Sequence, residues 1–198
     1  MIRNIWAVGR NYADHAKELG NKLPSSPLIF LKAGSAATLA AASIELHSGA
    51  LEVHHEVELA LRFNDQLEIS EACVALDLTD RPRQIELKTR GEAWTLAKSF
   101  KGSCPVSKFF SISSLDEVSD LEITLDVDGH RRQSDRTSSM LFSLPFLRDY
   151  VKTHFPVCPG DLLLTGTPAG VGQLTVGQRV VASLGNKISH SWVVVAQK

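Results

Sequence analysis

The chain has 198 residues, 43% of them hydrophobic, with 21 Lys plus Arg against 22 Asp plus Glu. That length suits one globular domain, expected over residues 1–198, and the near-balanced charge offers no positive field for nucleic acid or an anionic membrane, which leaves a small molecule as the expected partner. No apolar run approaches the ~20 residues of a membrane helix, Met1-Ile2-Arg3-Asn4 lacks a secretory pattern, and Cys73, Cys104 and Cys158 form no Cys-x-x-Cys pair, so a reducing cytoplasm is expected.

In chain order, Asn11 is positioned to cap a short helix through Leu19 that Gly20 ends, and the loop to Pro27 completes a lid-like segment over about 11–27. Pro27 to Lys32 reads as a buried strand. Val53 to Phe63 alternates as one strand, and Cys73 to Leu78 is a second apolar strand carrying Asp77 near its end. Pro82 suits the first turn of a helix to about Arg90. Leu121 to Val127, the Asp128-Gly129 turn and the polar stretch beyond it predict a hairpin. Leu144 to His154 has helical periodicity; Leu162 to Thr165, Arg179 to Leu184 and Lys187 to Val195 read as strands, the last two joined at Gly185-Asn186. Many strands with few short helices give a β-rich α+β class and argue against a doubly wound sheet.

The chemistry concentrates at His54-His55-Glu56-Val57-Glu58, because residues two apart on a strand share a face. Two carboxylates at ~4 Å and an effective dielectric of ~20 repel by about 4 kcal/mol, so the pair is hydrated, protonated or held by a hard cation such as Mg²⁺, Mn²⁺ or Ca²⁺. The plain alternative is a half-exposed strand with two surface glutamates. Asp77 taken alone is a strand-end cap, yet it is also the third carboxylate a metal site would need. His15 and Glu18, three apart on a helix, either make a weak surface contact or form an oriented base. Lys98 in Trp94-Thr95-Leu96-Ala97-Lys98-Ser99-Phe100 either snorkels to solvent or meets an anion. Thr165-Gly166-Thr167-Pro168-Ala169-Gly170-Val171-Gly172 is either a tight turn or a cradle for a carboxylate.

Gly9-Arg10-Asn11-Tyr12-Ala13-Asp14-His15, His54 to Glu58, Leu76-Asp77-Leu78-Thr79, Trp94 to Phe100, Gln133 with Thr137-Ser138-Ser139-Met140, and Gly160-Asp161 through Gly172 stand in an order that resembles the fumarylacetoacetate hydrolase family. The resemblance covers nearly the whole chain and is nearest the small acylpyruvase and oxaloacetate decarboxylase branch. It implies a mixed β-sandwich roll and a homodimer. It also implies Mg²⁺ or Mn²⁺ held by Glu56, Glu58 and Asp77, a lid pair His15 and Glu18 that activates water, and Lys98 beside the metal. Arg10, Arg81 and Gln133 match substrate-contacting positions, and Thr167 falls in a carboxylate-binding turn. The implied activity is hydrolysis of a carbon–carbon bond in a 2,4-dioxo acid to give pyruvate and a carboxylic acid. The alternatives are an oxaloacetate decarboxylase or tautomerase, a dienoate decarboxylase/isomerase of aromatic breakdown that would need extra cationic contacts, and a non-catalytic 2-oxo acid binder. Thr79-Asp80-Arg81-Pro82 departs from the family's usual Thr-Ala-Arg-Asp, and Lys32-Ala33-Gly34-Ser35 from its usual Lys-Pro.

Overall fold

Side chains of the strand Val57–Phe63 alternate between two faces, and the burial of both faces sets the architecture. Val57, Leu59, Leu61 and Phe63 enter a large apolar core with Val74, Leu76, Ile123, Leu125 and Trp192. Ala60 enters a second cluster of smaller residues with Cys73, Ala75, Cys104 and Val106. The computed structural model describes residues 1–46, 49–50 and 52–197, which form three sheets.

The largest sheet has the spatial order Leu28–Ala33, Asn4–Gly9, Leu162–Leu164, Val57–Phe63, Ile69–Leu76, Cys104–Val106, Ala37–Leu39, and Phe110–Ser111 also pairs with Ile69–Leu76. A second sheet of His130–Arg136, Glu122–Val127, Arg179–Leu184, Ile188–Ala196 and Ser43–Leu46 packs on one face of it and encloses the large core. Gly172–Gln173, Val53–His55 and Thr79–Asp80 make a small third sheet. Parallel and antiparallel pairings are mixed, and the helices are short, so the β-rich sandwich expected from the sequence is what forms.

Several expected elements have the expected bounds. Two of the helices expected from the sequence form as Arg81–Arg90, with Pro82 in its first turn, and Leu144–His154. Asp128 and Gly129 take φ of 51° and 77°, the doubly left-handed pair of a primed hairpin turn.

Three expectations are corrected. Val53 to Phe63 is two strands in two sheets, interrupted at Glu56. Asn11 does not cap the first helix, Ala13–Glu18; its Nδ2 donates to the Thr165 carbonyl at 2.7 Å while its Oδ1 accepts from the Phe142 N–H at 2.9 Å, stitching three loops together instead. Leu28–Ala33 lies at the end of its sheet, with Leu31 47% exposed and Lys32 fully buried, the reverse of a hydropathy-based reading.

Candidate metal centre and active site

Strand register builds the acidic cluster. Glu58 pairs with Ala75 and Val57 with Leu76, so one step further Glu56 faces Asp77, whose N–H donates to the Glu56 carbonyl at 2.8 Å. Glu56 and Glu58 share the parity of Ala60, and Asp77 that of Cys73 and Ala75, which sends all three carboxylates to the small-residue face. All three are buried, with one oxygen of each within 4.8 Å of the others. The half-exposed-strand reading is thereby excluded.

Three cations converge on two of these carboxylates. Lys98, at the end of the helix Thr95–Lys98, is buried and donates to Asp77 Oδ2 at 2.5 Å and Glu56 Oε2 at 2.8 Å, so it does not snorkel. Arg81 bonds Glu56 Oε1 through Nη2 and reaches Gln84 Oε1 at 2.7 Å through Nη1. The Asp80-Arg81-Pro82 departure leaves this arginine at the carboxylates, because Asp80 sits at the N-cap and Pro82 occupies the first turn. Lys32, which sequence reasoning missed as a site residue, pairs across the sheet with Ile5 on the small-residue face and donates to Asp77 Oδ1 at 2.5 Å and the Ser103 carbonyl at 2.8 Å. The signal was a lone lysine in the run Leu28-Ile29-Phe30-Leu31-Lys32.

Among the described residues Glu58 has no cation partner, and its Oε2 accepts the Gly166 N–H at 2.6 Å. Burial, then the charges of Asp77 and Glu56, push its carboxyl well above the usual carboxylate range. Burial also works against the charge of Glu56, but Lys98 and Arg81 outweigh it and hold that carboxyl below its ordinary value. The Lys98 ammonium is likewise raised, its two carboxylate partners overcoming burial. Three buried oxygen donors that cannot all ionise without further positive charge fit a hard divalent cation. Glu56, Glu58 and Asp77 would hold it.

The lid segment closes one wall of the same cavity. His15 is buried, and its Nδ1 lies 3.2 Å from Glu18 Oε2, while Glu18 Oε1 accepts the Gly170 N–H at 3.0 Å. Arg10, His15, Arg81, Lys98 and Thr167 line the cavity with the three carboxylates. Gln133 does not. It is fully buried behind Thr167, donating from Nε2 to Thr167 Oγ1 and the Pro168 carbonyl at 2.8 Å each, while Oε1 accepts the Val57 N–H and faces His55 Nδ1. The expected substrate contact at Gln133 is therefore corrected to a brace for Thr167, because protein groups occupy both ends of its amide. Gly166 sits at φ 101°, where a Cβ would lie 2.6 Å from that of Asn11, so only glycine lets its N–H reach Glu58. The turn after Leu162–Leu164 is thus both a tight turn and part of the site.

The profile described as "Fumarylacetoacetate (FAA) hydrolase C-terminal" matches residues 4–191. The chain belongs to the fumarylacetoacetate hydrolase family. Among similar family members, the bovine mitochondrial oxaloacetate tautomerase is 38% identical over 97% of this chain and 91% of its own length. The mitochondrial oxaloacetate decarboxylase of Dictyostelium discoideum is 38% identical over 89% and 86%. Among solved structures, fumarylpyruvate hydrolase from Pseudomonas aeruginosa, in complex with Mn²⁺ and pyruvate, superposes with a TM-score of 0.91 at 30% identity, covering 99% of this chain and 91% of that one.

Proposed function

We propose that this family member is a divalent-metal-dependent enzyme, using Mg²⁺ or Mn²⁺, that interconverts the keto and enol forms of oxaloacetate by moving a proton at C3. The observation that carries the reading is the buried His15, oriented by Glu18, in the same cavity as the three carboxylates and Lys98. The charge balance supports it: Glu56, Glu58 and Asp77 stand against Lys32, Lys98 and Arg81, so a divalent ion leaves a surplus that suits a dianionic 2-oxo acid. Similarity to named oxaloacetate tautomerases and decarboxylases supports oxaloacetate as the substrate.

Bound at the carboxylates, the ion supplies Lewis acidity toward the 2-oxo group. His15 supplies the base. With Nδ1 held by Glu18, its Nε2 is free to take the C3 proton and return it. Lys98 meets the negative charge that develops on the 2-oxo oxygen and exchanges with it the proton that completes the enol, and Thr167, braced by Gln133, binds the C1 carboxylate. Glu18's bond to the Gly170 N–H ties the lid to that turn and excludes water once substrate is seated.

A second reading, hydrolysis of an acylpyruvate, uses the same His15–Glu18 pair to activate water, and the similarity to fumarylpyruvate hydrolase favours it. The experiment follows oxaloacetate ketonisation and acetylpyruvate cleavage in chelated protein titrated with Mg²⁺ or Mn²⁺. Metal-dependent ketonisation that falls in His15→Ala by about 100- to 10,000-fold, with metal affinity retained, is expected. Cleavage of acetylpyruvate outpacing ketonisation would replace the first reading by the second.

A further inference from the structure

The outer wall of the cavity carries positive charge that the acidic cluster does not use. Arg81 and Lys98 are both paired with carboxylates. Arg10 and Lys88 line the same cavity, are only partly buried, and among the described residues have no carboxylate within ion-pair distance. Lys88 extends from the helix Arg81–Arg90 to Asn21 Oδ1, 3.3 Å away in the lid segment, and lies 5.9 Å from the ring centre of Trp94. Burial first, and then the nearby charges of Arg10, Arg81 and Lys98, push its ammonium below the usual lysine value. Arg10 is held at φ 60°, a left-handed backbone uncommon outside glycine, asparagine and aspartate. Arg10 and Lys88 lack a carboxylate partner among the described residues although they share the cavity with Arg81 and Lys98, and an anionic ligand would relieve their mutual repulsion, so this part of the wall is complementary to a ligand rather than to the fold.

We propose that Lys88 and Arg10 form a subsite for the distal carboxylate of a 2-oxo dicarboxylic acid. The inference rests on the proposed function for the placement of the C1 end at the carboxylates and Thr167. It favours oxaloacetate over acetylpyruvate, whose far end is uncharged and would leave both cations unpaired. It also favours proton transfer over decarboxylation: a distal carboxylate paired with two cations is stabilised in its charged form, which opposes its loss as CO₂. Lys88 reaches the lid through Asn21, so filling the subsite also favours the closed position of His15.

The test compares wild type, Lys88→Met, Lys88→Arg and Arg10→Met in Mg²⁺. One arm measures ketonisation of oxaloacetate and of its 4-methyl ester; the other measures calorimetric binding of 2-oxoglutarate and of 2-oxopentanoate, which differ only in the distal carboxylate. In Lys88→Met the kcat/KM ratio of oxaloacetate to ester falls about 10- to 100-fold, chiefly through KM, and 2-oxoglutarate binding weakens by a similar factor relative to 2-oxopentanoate. Arg10→Met moves the same ratios in the same direction, and Lys88→Arg restores most of the discrimination. Parallel losses for both members of each pair, or no loss, would overturn the subsite. Wild type that turns over neither substrate, yet binds 2-oxoglutarate in a Lys88-dependent way, refutes the proposed activity and leaves the subsite standing.

Discussion

Replacing Lys32 by methionine removes a charge that no surface argument would assign importance, and the structure gives the cost. The Lys32 ammonium is fully buried and donates to Asp77 Oδ1 at 2.5 Å, to the Ser103 carbonyl at 2.8 Å and to the Leu78 carbonyl at 3.4 Å. Methionine keeps most of the apolar stem, so the cavity penalty is small and the loss is electrostatic. Breaking a buried ion pair from one side costs about 3–5 kcal/mol. Asp77 retains Lys98, which puts the pair near the lower bound of about 3 kcal/mol, while the Ser103 carbonyl loses a donor at about 1 kcal/mol. With a urea slope of about 2 kcal/mol/M, a loss of about 4 kcal/mol lowers the unfolding midpoint of the chelated protein by about 2 M. Saturating Mg²⁺ narrows the difference, since an ion beside Asp77 replaces part of the lost positive charge and binding to the folded state adds stability to both proteins. Urea titrations followed by circular dichroism, with and without metal, measure both effects. A midpoint within about 0.5 M of wild type in chelator would refute the assignment of Lys32 as a partner of the acidic cluster.

Two further outcomes follow from the titrating groups. Burial pushes the Cys104 thiol up to about 12 and the Cys73 thiol well above its ordinary value, and both are fully buried, so at about pH 8 a disulfide reagent such as Ellman's labels only the partly exposed Cys158 in the native protein and all three thiols after unfolding. Rapid labelling of a second thiol before unfolding would contradict this burial. The Arg136 guanidinium at 2.6 Å and the Ser138 hydroxyl at 2.5 Å lower the Asp120 carboxyl to about 2. A depressed folded value stabilises the protein above the unfolded value near ~4 and loses that contribution as pH falls toward 2. A carboxyl-carbon NMR titration of Asp120 with a midpoint near ~4 would show that these bonds do not persist in solution.

Helices, hairpin and acidic cluster were legible because each is written in short-range spacing. Leu144–His154 and the Asp128-Gly129 turn follow from local periodicity and turn chemistry, and the shared face of Glu56 and Glu58 survives even though the strand breaks between sheets at Glu56. The cations that answer the carboxylates were less legible. Lys32 is placed by cross-strand pairing with Ile5, and no window around residue 32 contains residue 5. The Asn11 amide, which reads locally as a helix cap, is claimed by Thr165 and Phe142, more than a hundred residues away. Gln133 has the right type for a substrate contact, and only the structure shows both ends of its amide already engaged.

The division of labour among the cations follows from which carboxylate oxygens they reach. Lys32 and Lys98 take the two oxygens of Asp77, and Lys98 and Arg81 take those of Glu56, so these side chains are fixed by protein contacts on both oxygens. Glu58, which among the described residues is held by a backbone N–H and no cation, is the acid of the three that burial and its neighbours push toward the neutral form. A divalent ion bound there would meet a site two-thirds of which is preorganised and would supply positive charge to Glu58, the member of the acidic cluster that has no cation partner among the described residues. Arg10 and Lys88 stand further out on the same wall and meet none of these carboxylates. In the proposed assignment the inner cations would serve the metal end of the cavity, and the outer pair would meet the end of the substrate that tells one 2-oxo acid from another.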